Sequence, residues 1–429
     1  LSAVRRAVRR WGAVWLPPTT VVVFMRTHDV VLISYWCVGA LVIVGCLGMF
    51  VRGNSYTHLP MAPGKVLAII PAYNEMQSAL DATVWSLINQ TRPPDLIVVI
   101  DDGSVNPVRG FEHPLVSWQR QDNTGKRGAQ CTVLRGFDRD DFAFIMTVDS
   151  DSAPYPDALE HLLRAMSDPG VEASTGMIYI RNFEESWVSR AADMDIGMSC
   201  VMMRASRSAL GCLETTSGAL AVYRTSLLYD HLDAYAVECG TGDDRWLALR
   251  ALHRGQVVGV AEAGVETDMP ITLKGTYRQR LRWARSWWWM LPYVFTRLST
   301  KQTLSPAFGL MQLIVTPLML GWIAVMVLVH GIHGRSLTVT VLYIATYVIV
   351  RYCTAAFYLL GRPNVTRRQK LVLWLIGTPA SVLLNMILLM PTRYYALLKL
   401  RDNRWQTREV AAEPSPEIEH ALVLAGSSR

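Results

Sequence analysis

Residues 66–104, "VLAIIPAYNEMQSALDATVWSLINQTRPPDLIVVIDDGS", decide the fold. Two short runs, "VLAII" and "LIVVI", are apolar at every position, as expected of strands covered on both faces. Between them "EMQSALDATVWSLINQT" is polar enough and long enough to be a helix packed on one face. A third run, "FAFIMTV", follows at 142–148. From about residue 64 to 268, apolar runs alternate with polar, helix-like segments. That alternation predicts an α/β domain with a largely parallel sheet.

In open α/β sheets, ligands bind beyond the carboxyl ends of the strands. Each of these three runs ends in polar chemistry. "IIPAYNE" (69–75) brings Tyr73, able to stack on a base, with Asn74 and the acid Glu75. "LIVVIDDGS" (96–104) brings Asp101 and Asp102, carboxylates able to accept from the N3–H of a uracil. "FIMTVDSDS" (144–152) brings Asp149 and Asp151, two hard oxygen ligands suited to Mg2+ or Mn2+ held together with substrate phosphates. Each has a plainer reading: Asn74 as a helix N-cap, Asp-Gly as turn chemistry, a lone DxD as chance. Three acidic strand ends in succession favour a nucleotide pocket. "NTGKRGAQ" (123–130) adds Lys126 and Arg127 after a glycine turn, either near phosphates or on a solvated loop.

Two further stretches bear on catalysis. "VECGTGDDRWLALR" (237–250) places Asp243 and Asp244 at the start of a helix, where the dipole favours their ionised form. The pair is either a first-turn acid cluster or the base for an acceptor hydroxyl. Residues 274–297, "KGTYRQRLRWARSWWWMLPYVFTR", combine arginines with aromatics, as helices at a membrane interface do. Gln279, Arg282 and Trp283 lie within them.

The chain has 429 residues, a net charge of +7 and 51% hydrophobic content, which directs attention to membrane segments. Residues 31–50 are uncharged and mostly apolar, long enough for one span, and not a signal peptide. The preceding "WGAVWLPPTTVVVFM" is either a second short span or an interfacial segment. Uncharged or nearly uncharged runs return at 304–329, 337–360 and 371–392, the last with Gly377 and Pro379 inside and readable as a kinked pair. "GRPNVTRRQK" (361–370) carries four basic residues and marks the cytoplasmic side. The N-terminal arginines (Arg5, Arg6, Arg9, Arg10) and the basic tail both look cytoplasmic too; a second N-terminal span would reconcile this with a cytoplasmic α/β domain, and both span counts stay open. The seven cysteines show no metal-ligand or disulfide spacing, and neither HExxH nor CxxC is present. No nucleic-acid partner is expected.

In this order and with these flanks, the motifs resemble the processive family-2 membrane glycosyltransferases, the group of cellulose, chitin and hyaluronan synthases. The matching residues are Tyr73, Asp102, Lys126, Asp149, Asp151 and Asp244, with Gln279, Arg282 and Trp283 forming QxxRW. "GDDR" (242–245), "SGALAVYR" (217–224), "ETDMPITLK" (266–274) and the tail around Trp405 look most like bacterial hyaluronan synthases. Differences are Ala219 in place of a proline, Gln406 in place of a glycine, and Arg280 in place of a second glutamine.

The resemblance implies a cytoplasmic GT-A, Rossmann-like domain at 61–270 and interface helices with QxxRW at 271–303. It implies membrane segments at 1–60, transmembrane helices at 304–400 and a cytoplasmic tail at 401–429, in a multi-pass plasma-membrane protein. It implies UDP-GlcNAc and UDP-GlcA as donors and an extruded hyaluronan chain, with membrane lipids as surroundings. The donor would be held by Tyr73, Glu75, Asp102, Lys126, Asp149, Arg282 and Trp405, and a metal by Asp151 and Asp149. Asp244 would be the general base, Asp243 its orienting neighbour, and Gln279, Arg282 and Trp283 the catalytic helix residues. Rival readings are a synthase using a single UDP-sugar, a single-transfer enzyme acting on a lipid carrier, and a scaffold with a degenerate transferase domain.

Overall fold

The computed structural model describes residues 55–240, 242–330 and 334–400. The expected spans before residue 55 and the tail with Trp405 lie outside the described residues. One eight-stranded sheet organises the domain, in the order β3-β2-β1-β4-β7-β6-β8-β5. Its strands are β1 Val66–Ala72, β2 Leu96–Asp102, β3 Val116–Gln121, β4 Phe144–Thr147, β5 Ala153–Pro154, β6 Val171–Ile180, β7 Ala221–Arg224 and β8 Gln256–Thr267. Strands β3, β2, β1 and β4 are mutually parallel. The chain lays down β1, β2 and β3 in one direction, then returns to add β4 on the other side of β1. The crevice at that reversal is where such sheets bind ligands.

The expectation of a largely parallel sheet is corrected. β7 runs antiparallel to both β4 and β6, and β5 antiparallel to β8. Only β6 and β8 are parallel in this half. The sheet is mixed.

Helix α1 (Gln77–Ile88) covers one face by burying Leu80, Val84 and Leu87, spaced as one helical stripe requires. It starts after Met76, so Asn74 is not its N-cap. Helix α2 (Gly125–Arg135) follows β3, and α3 (Ala158–Met166) packs on β6 and β8. Helix α4 (Trp187–Gly197) runs on through a π-helical segment, Met198–Arg204. Helix α5 (Asp243–Arg254) opens with the acid pair, and α6 (Leu273–Arg297) carries the arginine-aromatic stretch as one helix.

Three long helices complete the described residues: α7 (Leu304–His330), α8 (Gly334–Gly361) and α9 (Arg367–Leu398). Among the described residues α9 alone is long and apolar enough to cross a membrane, judged by length and composition. It is one continuous helix rather than a separated pair. Its π-helical segments, Leu373–Gly377 and Asn385–Leu389, come just before Pro379 and Pro391, each of which lacks the N–H an α-turn needs.

Helix α4 ties these helices to the sheet. Asp193 pairs with Arg362 and accepts from Tyr358 at 3.0 Å. Asp195, two residues on and on the opposite side of the helix, lies 3.3 Å from Arg280 on α6. Gly197 lets Tyr358 approach so closely that a Cβ there would enter its ring.

Candidate active site

The loops leaving β1, β2 and β4 are fastened to one another by side chains. Asn74 adopts a left-handed φ of 48°, a conformation asparagine tolerates better than most residues. There its backbone N–H donates to Ser104 Oγ at 2.9 Å, while its Oδ1 accepts from Val105 N–H at 2.9 Å. Its neighbour Glu75 accepts from Ser150 Oγ at 2.7 Å. Tyr73, partly buried, therefore stands on a loop fixed on both sides, to the Asp-Asp-Gly-Ser turn and to the DSD turn.

The two acids of the β2 turn are both buried. Asp101 closes the turn by accepting from Ser104 N–H (2.9 Å) and from Arg120 (2.6 Å). Asp102 caps α2. Its Oδ1 accepts from Gln121 Nε2 (2.7 Å) and Thr124 N–H (2.9 Å), and its Oδ2 from Gly125 N–H (2.7 Å). Its Oδ1 is thus taken up by the protein; one lone pair of Oδ2 is the acceptor capacity it has to offer a ligand.

The capped helix delivers Lys126. Its ammonium, expected either near phosphates or on a solvated loop, sits between two acids, 2.6 Å from Asp149 Oδ1 and 3.0 Å from Asp243 Oδ2. A single lysine thus joins the acid after β4 to the acid at the head of α5. Burial works against the Lys126 charge, but Asp149 and Asp243 outweigh it and hold the ammonium well above its ordinary pKa. Residues 215–220 press on the same group. A Cβ on Gly218 would lie 2.9 Å from Asp149 Oδ2 and 3.1 Å from Lys126 Nζ. Thr216 Oγ1 donates to the Asp244 carbonyl at 2.9 Å. Ala219 donates its N–H to Ser217 Oγ at 3.2 Å, a bond that a proline there could not make.

The adjacent acids of α5 are driven apart. For Asp243 burial opposes ionisation, but the Lys126 charge and hydrogen bond prevail, with Arg282 adding to them, and its pKa falls below the ordinary range. For Asp244 burial and then the Asp243 charge raise the pKa, against weaker pulls from Arg245 and Lys126. Two carboxylates in one turn with opposite shifts suit one fixed anion and one proton acceptor.

Helix α6 closes this side. Ser286 packs on Gly242, the residue just before the acid pair, leaving no room for a Cβ. Arg250 of α5 is sandwiched between Trp246 (3.8 Å) and Tyr293 of α6 (4.2 Å). Gln279 Nε2 contacts Met269 Sδ at 3.4 Å. Trp283 is 36% exposed, with Arg280 over its ring.

Asp149 and Asp151, two residues apart after β4, are the donors expected for a metal. Among the described residues no group of three His, Cys, Asp or Glu converges. Two carboxylates still fit a magnesium-like cation, which completes its shell with phosphate and water. Asp151 Oδ1 accepts from Ser152 Oγ (3.3 Å) and Thr267 Oγ1 (3.4 Å), so its carboxylate is oriented.

The family model described as "Glycosyltransferase like family 2" matches residues 63–286, more than half of the chain's 429. This chain is a family-2 glycosyltransferase. The transferase is 28% identical over 366 residues to a hyaluronan synthase of Streptococcus pyogenes serotype M1, covering 80% of this chain and 83% of that protein. It is 32% identical over 364 residues to an N-acetylglucosaminyltransferase of Rhizobium meliloti (strain 1021), covering 80% and 82%. In fold it is similar to a mannosyltransferase of Pyrobaculum calidifontis solved with GDP-Man and Mn2+, at a TM-score of 0.54 and 16% identity, covering 86% of this chain and 98% of that one. That likeness gives the transferase its GT-A fold.

The structure thus gathers Tyr73, Glu75, Asp102, Asp149 and Asp151 on linked strand ends, and Lys126 of α2 joins Asp243, next to Asp244, to Asp149. Trp405 lies outside the described residues. Sequence reasoning missed what fastens the transferase's site: Asn74 as a bridge, Ser150, Thr216, Gly218 and Ser286. A glycine beside a serine, just ahead of a short apolar run, was the one available signal for Gly218.

Proposed function

We propose that this chain is a processive, inverting β-glycosyltransferase that builds hyaluronan from UDP-GlcNAc and UDP-GlcA at the cytoplasmic face of the plasma membrane. Its helices, with the segments before residue 55, would form the multi-pass route by which the polymer leaves. The observation that carries this reading is the Lys126 bridge, which brings a donor-side acid, Asp149, and an acceptor-side acid, Asp243, to one ammonium.

Uracil would stack on Tyr73 and reach the remaining lone pair of Asp102, while Glu75 holds the loop. The basic tail with Trp405 would close over the nucleotide. A Mg2+ or Mn2+ ion held by Asp149, Asp151 and the diphosphate would supply neutralisation of the leaving group's charge. Asp244 takes the proton from the acceptor hydroxyl, as its raised pKa suits. The freed oxygen forms a bond to the anomeric carbon as the bond from that carbon to the diphosphate breaks, with inversion to a β-linkage. Arg282, and Lys126 from the far side, oppose the charge that develops on UDP. Asp243 keeps Lys126 in place, Gln279 steadies the start of the catalytic helix stretch, and Trp283 stacks under the acceptor sugar.

A second reading, a chitin-like synthase using one UDP-sugar, is favoured by the higher identity to the Rhizobium N-acetylglucosaminyltransferase. Purified protein supplied with each UDP-sugar alone and with both together separates them. Polymer that appears only with both donors supports hyaluronan; polymer from UDP-GlcNAc alone rejects it.

A further inference from the structure

Trp283 does not stand by itself. The guanidinium carbon of Arg280, one helical turn earlier, lies 4.5 Å from the centre of its ring. Arg280 Nη2 lies 3.3 Å from Asp195 Oδ2 on α4, and the two side chains are only 13% and 15% exposed. The hydrogen bonding of this buried cation is incomplete. Its Nε and Nη2 have no hydrogen-bond partner among the described residues. An arginine placed for stability has its fork filled, because unpaired buried N–H groups are costly. Replacing both members of such a pair by apolar residues is often neutral, whereas removing one leaves the other charge buried. Besides Asp195, the Arg280 guanidinium faces the Trp283 indole. A cation over an aromatic face attracts that face and occupies it. One face of Trp283 is thereby closed from behind, and contact with a sugar is left to the remainder of the ring.

We propose that Arg280, anchored by Asp195, is a positioning residue that backs the Trp283 indole and so fixes the face on which the β-linked acceptor chain rests. The proposal deepens the functional reading above and rests on Trp283 being the acceptor platform. It also gives α4 a role. Two residues before Asp195, Asp193 holds Arg362 and Tyr358 at the end of α8. One helix thus sets the platform in register with the long helices that the polymer would follow.

The test uses full-length protein in detergent, with a single UDP-sugar as donor and either a hyaluronan tetrasaccharide or chitotetraose as acceptor, whichever is extended. Arg280→Met is expected to raise the acceptor KM roughly three- to ten-fold, the range that a cation–π contact spans. The thermal midpoint falls, because Asp195 is left buried without its counter-charge, but the donor KM stays within error of wild type, and Arg280→Lys recovers most of the acceptor affinity. Asp195→Asn gives a smaller shift in the same direction. Acceptor and donor KM rising together would mean a structural role and overturn the proposal. An unchanged acceptor KM in Arg280→Met, with a raised one in Trp283→Ala, overturns it while leaving the platform intact. An unchanged acceptor KM in Trp283→Ala removes the platform, and the proposal with it.

Discussion

Gly218 lies against Asp149 so closely that its missing side chain is part of the site: a Cβ would come within 2.9 Å of Asp149 Oδ2 and 3.1 Å of Lys126 Nζ. Both atoms belong to the ion pair that ties α2 to the DSD turn. Gly218→Ala should push that pair apart. A misplacement of about 1 Å costs on the order of 10²-fold in rate, so polymer synthesis should fall ten-fold or more while the circular dichroism spectrum is retained. Normal synthesis by this variant would show that the lysine bridge has slack.

Asp244→Asn tests the base. It keeps the size of the side chain and its place at the head of α5, and removes proton acceptance. Polymer synthesis should drop by about 10²–10⁴-fold, while UDP binding by calorimetry stays as in wild type. Asp151→Asn should do the converse, weakening UDP binding in the presence of Mg2+ or Mn2+ and leaving metal-free binding unchanged.

The split acid pair gives a pH prediction with a definite sign. Asp244 is protonated as pH falls through its raised pKa, so the acid limb of kcat/KM should lie above the ordinary aspartate value of about 3.9. Asp243→Asn removes the neighbouring negative charge and frees Lys126 to act on Asp244. Both changes lower the Asp244 pKa, and the acid limb of the residual activity should move to lower pH. A limb that stays in place would assign it to another group.

Lys126→Met leaves Asp243 buried with its main counter-charge gone. Removing one partner of a buried pair costs roughly 3–5 kcal/mol, and the loss should appear as a lowered denaturation midpoint at neutral pH. Acidification should reduce the penalty as Asp243 becomes protonated, which a variant merely damaged in packing would not show.

Gly242→Ala probes the contact between the acid pair and the QxxRW helix. The new methyl would collide with Ser286, so α6 must retreat from the head of α5. Synthesis should fall while UDP binding, which we propose the β1, β2 and β4 loops govern, is kept. Gly242→Ala combined with Ser286→Gly should recover activity.

The half of the site built by parallel strands was legible. An apolar run ending in acids is a local pattern, and β1, β2 and β4 delivered Tyr73, Asp102 and Asp149 where that pattern put them. The partners of those residues were not legible. Nothing in "GKR" says that Lys126 turns to Asp149 and Asp243, because Asp243 is more than a hundred residues away and arrives through tertiary packing. Asp102 was read as a ligand acceptor because its capping of α2 depends on where β3 leaves the sheet. The reversed direction of β7 was hidden for a different reason. A four-residue strand carries too little periodicity to reveal its orientation.

That reversal has a consequence for how the protein can change. In a wholly parallel sheet, only segments that leave strands could reach the crevice. β7 enters where its neighbours exit, so residues 215–220 approach the reaction centre from the upstream side of a strand. The turns after β1, β2 and β4 are locked to one another by Asn74 and Glu75, whereas this incoming segment meets the Asp149–Lys126 pair at Gly218. If the proposed function holds, evolution or an engineer can retune what the enzyme transfers or extends by editing residues before β7 other than Gly218, leaving the turns after β1, β2 and β4 in place.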